Sequence, residues 1–187
     1  MSSYRLLPCA LALTLLVSAC NSGSDVQVFG GDTDVVNNNI TLHDGSVTIK
    51  AHGMPDALVD GTGNLSIDGH AVTVNDAQRA LLLRYNGAAR QMREDAIATG
   101  KAGVETATKE LGAVAGRMTG ADTTEETKQK AEAAAAGIRE SAAKICVDLA
   151  DMKTAQDELA SQLDAFKPYA QALTDENIDK CRKGTKH

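Results

Sequence analysis

Ser141-Ala142-Ala143-Lys144 sets a hydroxyl and an amine one helical turn apart, the S-x-x-K spacing of a serine nucleophile served by a lysine base. Enzymes built on that pair also need an S-D-N element and a K-T-G element. This chain has no S-D-N, and Lys183-Gly184-Thr185 carries the third element in the wrong order at the terminus. A chance match on an Ala-rich helix is the better reading. His43, His52 and His70 offer three imidazoles, yet neither their spacing nor a flanking cysteine matches a zinc or copper site. The acidic stretch from Asp56 to Asp68 lacks the D-x-[DN]-x-[DN]-G order of a calcium loop. There is no G-x-S-x-G, no H-E-x-x-H and no glycine loop to cradle a phosphate. The chain is therefore expected to be no enzyme, with no cofactor, no metal and no catalytic residue. What remains is its thiols: Cys9, Cys20, Cys146 and Cys181.

Cys20 carries the clearest chemistry. A short cationic start with Arg5 precedes an apolar run from Leu6 to Val17, and small residues then lead to the cysteine in Leu16-Val17-Ser18-Ala19-Cys20. A charged start, an apolar middle and a small-residue end make a secretory signal, not a spanning helix. The junction resembles the lipobox of bacterial lipoproteins. That resemblance implies cleavage after Ala19, with Cys20 diacylated and then N-acylated as the first mature residue. Asn21 stands where lipoproteins kept at the inner membrane often carry Asp, which points to the outer membrane. Each buried methylene of an acyl chain contributes about 0.8 kcal/mol, so two or three chains anchor far more firmly than one. The alternative is an ordinary cleaved signal and a secreted periplasmic protein without lipid.

Removing residues 1–19 leaves enough chain for one domain. The whole sequence has a formal net charge of −6, and the leader carries one Arg and no acid. An acidic chain with three Tyr, two Phe and no Trp is a poor partner for nucleic acid, which asks for a basic patch and stacking rings. With Cys9 lost and Cys20 lipidated, Cys146 and Cys181 form an even pair in a compartment that oxidises thiols. A bridge between them is expected, contributing roughly 3–4 kcal/mol. The other reading is two separate thiols.

The elements follow from pattern. Residues 20–39 read as a lipidated tether, punctuated by Gly30-Gly31 and Asn37-Asn38-Asn39, with Val26, Val28 and Phe29 as a short strand. Residues 40–74 read as two β-hairpins turning at Asp44-Gly45 and Asp68-Gly69, since a two-residue Asp-Gly turn suits positive φ at both positions. That register sets Leu42 against Val47, Ile40 against Ile49, Leu65 against Val72 and Ile67 against His70. From Asn75, a cap with Gln78 in place for a capping box, the period changes to that of an amphipathic helix. Gly100 and its neighbours predict a break, a fray or close helix contact.

A second helix starts at Thr123, after Gly120. Its apolar residues run from Ala131 through Ile138, Ile145, Leu149, Met152, Gln156, Leu159 and Leu163 to Phe166, a seam of about five heptads ending at Pro168. The short loop makes the two helices antiparallel neighbours. The sequence therefore predicts an α+β fold: a small antiparallel sheet at 40–74, then a coiled-coil-like helical hairpin at 75–167. A tail at 168–187 follows, with a short helix capped by Thr174. Self-association of the second helix through its seam is the competing architecture.

The run Ala71-Val72-Thr73-Val74-Asn75-Asp76-Ala77-Gln78-Arg79, just after Leu65-Ser66-Ile67-Asp68-Gly69, resembles the YggN-like family of uncharacterised bacterial envelope proteins. Those proteins pair a small strand region with long Ala-rich helices, and a cysteine on their C-terminal helices has a context similar to that of Cys146. The resemblance implies a shape and a compartment, with no activity, ligand or catalytic residue. Together these readings describe a lipid-anchored, periplasm-facing envelope protein, attached to a membrane through its lipid and partnered with other envelope proteins as a non-enzymatic scaffold. The alternative is a hydrolase or a lipid- or metal-handling protein whose site the sequence does not announce.

Overall fold

The computed structural model describes residues 33–36, 38–118 and 124–185. The leader, Cys20, the expected strand at Val26, Val28 and Phe29, and the helix connection at Gly120 and Thr123 lie outside the described residues.

Alternating apolar and polar residues from Ile40 onward give short strands with one greasy face, and six of them pair in chain order as an antiparallel meander. They are β1 (Thr33–Val36), β2 (Ile40–His43), β3 (Ser46–Ile49), β4 (Ala57–Val59), β5 (Leu65–Ile67) and β6 (His70–Val72). The two expected hairpins form in the expected register, Ile40 with Ile49, Leu42 with Val47, Leu65 with Val72 and Ile67 with His70. Both Asp-Gly turns adopt positive φ throughout, 45° and 76° at Asp44-Gly45 and 52° and 73° at Asp68-Gly69. Two strands go beyond that expectation. β1 lies within the stretch read as tether and pairs with β2 across an irregularity between Asp34 and Val36. β4 joins the hairpins into one sheet, pairing with β3 on one side and β5 on the other. At three residues it is too short for its alternation to register in the sequence.

Helix α1 (Asp76–Met118) runs unbroken, so the break expected at Gly100 does not occur. Nor does Gly103 mark close helix contact, because a Cβ there would meet nothing within 4 Å. A glycine costs about 1 kcal/mol in a helix interior, which the surrounding turns absorb. Helix α2 (Thr124–Gln162) stops short of the expected end at 167. Leu163 turns extended (φ −131°, ψ 103°), and a 3-10 turn over Asp164–Tyr169, with Pro168 inside it, carries Phe166 and Tyr169 into the core. Helix α3 (Asp175–Gly184) opens on the expected Thr174, in a full capping box with Asn177, and continues past Cys181.

One core joins these elements. The inner sheet face (Ile40, Leu42, Val47, Ile49, Val59, Leu65) is buried together with Leu82, Tyr85 and Met92 of α1 and Leu149, Met152 and Leu159 of α2. On α1 the buried leucine is Leu82, whereas Leu81 is only partly buried. The ring of Tyr85 meets Phe166 edge-on, with centroids 6.1 Å apart. The result is α+β, a six-stranded antiparallel sheet followed by a long antiparallel helix pair.

Candidate functional site

The residues of the Asn75–Arg79 run clamp the sheet to the helices. Asn75 and Gln78 form a reciprocal capping box, with bonds of 2.9 and 3.0 Å. Gln78 Nε2 also donates to the Gln162 carbonyl (2.7 Å), so the start of α1 satisfies the end of α2. Arg79 Nη1 donates to Asn64 Oδ1 (2.6 Å) in the β4–β5 turn. Within that turn Asp60 Oδ1 accepts from the backbone amides of Thr62 and Asn64, and Oδ2 accepts from Asn64 Nδ2. Partial burial pushes the Asp60 carboxyl up, but the hydrogen bonds from Asn64 and Thr62 outweigh it and hold its pKa at about 2. Gly63 (φ +75°) lies against α1, where a Cβ would come within 2.9 Å of the Arg79 carbonyl oxygen and of Leu83 Cγ. Deeper in, the buried Asn86 amide donates to the carbonyls of Gly45 (2.8 Å) and Val59 (3.1 Å), joining α1 to two strand ends.

The tail is locked in a similar way. Gln156 occupies a seam position of α2 yet serves as a bracket. Its Nε2 donates to Ala170 O and Leu173 O, and its Oε1 accepts from Leu173 N (3.1 Å). Tyr169 Oη donates to the Pro55 carbonyl (2.6 Å), and burial together with the charges of Asp56 and Asp68 pushes its phenol above the ordinary value. Cys146 and Cys181 are bridged, with Cα atoms 5.6 Å apart, and so tie α3 to α2.

The remaining sequence candidates do not converge. Ser141 is partly buried, while Lys144 is exposed and pairs with Glu140 (3.7 Å), giving no nucleophile and base in contact. His43, His52 and His70 are all exposed. His70 lies opposite Ile67 in the β5–β6 register as expected, but at the start of an edge strand its imidazole is exposed. Among the described residues no three His, Cys, Asp or Glu side chains are grouped to hold a metal ion.

Two features lie beyond the clamp and the locked tail. Past Met92 on α1, and before Cys146 on α2, no described side chain is buried, so the helix pair continues as an arm beyond the core. At the root of this arm an open groove of about 320 Å³ is lined by Leu42, Gly45, Arg90, Arg93, Glu94 and Ile97. Its lining sets the charged side chains of Arg90, Arg93 and Glu94 around the apolar Leu42 and Ile97. No hydroxyl, thiol or imidazole is among the described residues that line it. The Arg90-x-x-Arg93 spacing was the available signal, but nothing in the sequence says that the β2–β3 turn lies beside it.

A family described as a protein of unknown function (DUF2884) matches residues 35–131. The matched stretch covers the sheet from the second half of β1, all of α1 and the first turns of α2, and ends before Cys146. No curated protein and no solved structure matches the chain.

Proposed function

Because the chain belongs to the DUF2884 family, whose function is unknown, we propose a role from its geometry: a lipid-anchored protein of the bacterial envelope that binds or scaffolds other envelope proteins without catalysis. The observation that carries this reading is the arm, two long paired helices whose described side chains remain at least partly open to solvent beyond the core. Such a surface suits contact with another protein better than enclosure of a small substrate. The Cys146–Cys181 bridge supports an oxidising compartment, since such bonds are rare in the cytosol. No helix among the described residues is long and apolar enough to cross a membrane, so in this reading the lipid on Cys20 supplies the anchor. The likeness of the Ala71–Arg79 run to YggN-like envelope proteins points to the same compartment.

Cys20→Ser tests the anchor, because serine keeps the size and loses the thiol that accepts diacylglycerol. We expect wild type to incorporate labelled palmitate and to resist high-salt washing from membranes, the attachment being apolar and not ionic. The variant should remain an unprocessed precursor without label. A freely soluble, unlabelled wild type beginning elsewhere than residue 20 would overturn the lipoprotein reading. Photo-crosslinkers placed along 97–106 and 131–143 then test the scaffold role in intact cells. Specific adducts are expected there, and their absence where the sheet gives equal background would remove that role.

A further inference from the structure

Asp95 on α1 and Asp148 on α2 bring two carboxyls together across the edge of the helix seam, within hydrogen-bonding reach of each other. They stand where the core gives out, close to Met92 and Cys146, the last buried side chains before the arm. Asp148 Oδ2 is wholly buried and has no conventional hydrogen-bond donor among the described residues. Two ionised carboxylates cannot hydrogen-bond to each other, so the contact becomes a bond only when one of them carries a proton.

Lys144, one turn before Asp148 on α2, pairs with Glu140 (3.7 Å). The charged groups acting on Asp148 are Asp95 from α1 and Asp151 one turn along α2, both acidic. Asp151 is engaged by Arg84, which also reaches Glu158 (3.4 Å). Gln91 approaches Asp95 Oδ1 at 3.4 Å, and Arg93 and Glu94 line the groove. From α3 the link to this stretch is the uncharged disulfide at Cys146, while Asp175 pairs with Lys153 (3.6 Å) further along α2.

We propose that Asp95 and Asp148 form a proton-sharing clasp that holds the root of the helical arm closed and releases it as the pH rises. Desolvation first, then the nearby carboxyl of Asp95, push the Asp148 carboxyl above its ordinary value. A raised carboxyl contributes stability that is fully present below the unfolded value, about 3.9, and is lost as pH rises through the folded value. Below that window the shared proton joins the helices. Above it, two or three carboxylates repel one another across a seam that little apolar packing holds from there outward. The clasp is independent of the scaffold reading, since it stands whether or not the arm binds a partner.

Hydrogen exchange on the full chain, corrected for the intrinsic pH dependence of amide exchange, reads this directly. Amides at 93–104 and 138–149 should lose protection with a midpoint above the ordinary aspartate value. The loss is expected to be about tenfold for each unit by which Asp148 is raised. Amides of β2 and β3 should stay flat over the same range. Asp148→Asn, whose amide donates to Asp95 at every pH, should keep the arm protected and remove the pH dependence, and Asp95→Asn should do the same. A flat wild-type profile, or an equal loss of protection in both variants, would overturn the clasp. Should the variants fold poorly, carbon-13 titration of the Asp148 carboxyl in wild type decides, and a midpoint at or below the ordinary value would sink it.

Discussion

At the scale of single residues, the sheet meets the helices through side chains that leave little tolerance. Gly63 combines a positive φ with contact against α1, whereas Gly69 has a similar φ (+73°) and open space around its missing Cβ. Alanine at either position incurs the left-handed penalty of about 1–2 kcal/mol. Only at Gly63 must the β4–β5 turn also shift away from Arg79 and Leu83, breaking the 2.6 Å bond from Arg79 to Asn64. Gly63→Ala is therefore expected to lower the midpoint of thermal unfolding several degrees more than Gly69→Ala, as read by circular dichroism. Equal effects would mean that the turn does not bear on α1. The sequence announced the local side of this arrangement well. Asp44-Gly45, Asp68-Gly69 and the Asn75–Gln78 box each act within a few residues and could be read from spacing. Asn86 and Gln156 could not, because a buried amide is justified only by the carbonyls it meets, and those come from distant parts of the chain.

Among the elements, the tail shows how a short helix is held. α3 has ten residues and exposes most of them, and it reaches the core mainly through Ile178. Isolated helices of that length are marginal in water. Its position depends on the Gln156 bracket and on the Cys146–Cys181 bridge. Reduction is expected to cost about 3–4 kcal/mol on the loop-closure estimate and to expose α3 to limited proteolysis before the sheet is cut. Thiol labelling followed by mass analysis gives the check. Both cysteines should react only after reduction, and labelling of the native, unreduced protein would show that the bridge does not form. The end of α2 marks where pattern reading reached its limit. Phe166 continues the heptad spacing, yet the backbone leaves the helix at Leu163 and delivers that ring through a 3-10 turn instead. Apolar spacing says that a side chain is buried, not which backbone carries it inward.

Across the described residues as a whole, the seam of α2 is already occupied by α1 of the same chain. Leu149, Met152 and Leu159 lie in one cluster with Leu82, Tyr85 and Met92, and Arg84 crosses to Asp151 and Glu158 beside it. Heptads such as these drive oligomers when their apolar edge has no partner within the chain. Here the short connection supplies the partner at a high effective concentration, and a second copy would have to displace packed side chains before gaining anything. Among the described residues the arm beyond Met92 has no buried side chain, and the small Ala, Gly and Thr residues in its sequence offer little apolar surface. Each of these buries too little apolar area to offset the entropy of association. Sedimentation velocity of the unacylated mature protein should therefore show one monomeric species whose mass does not rise with concentration. It should show this in both low and high salt, because the seam is apolar and salt leaves it unchanged. A concentration-dependent dimer that disappears when Leu149 and Met152 are changed to Asn would instead mean that α2 exchanges partners between chains. In that event the helix pair drawn within one chain would be formed between two.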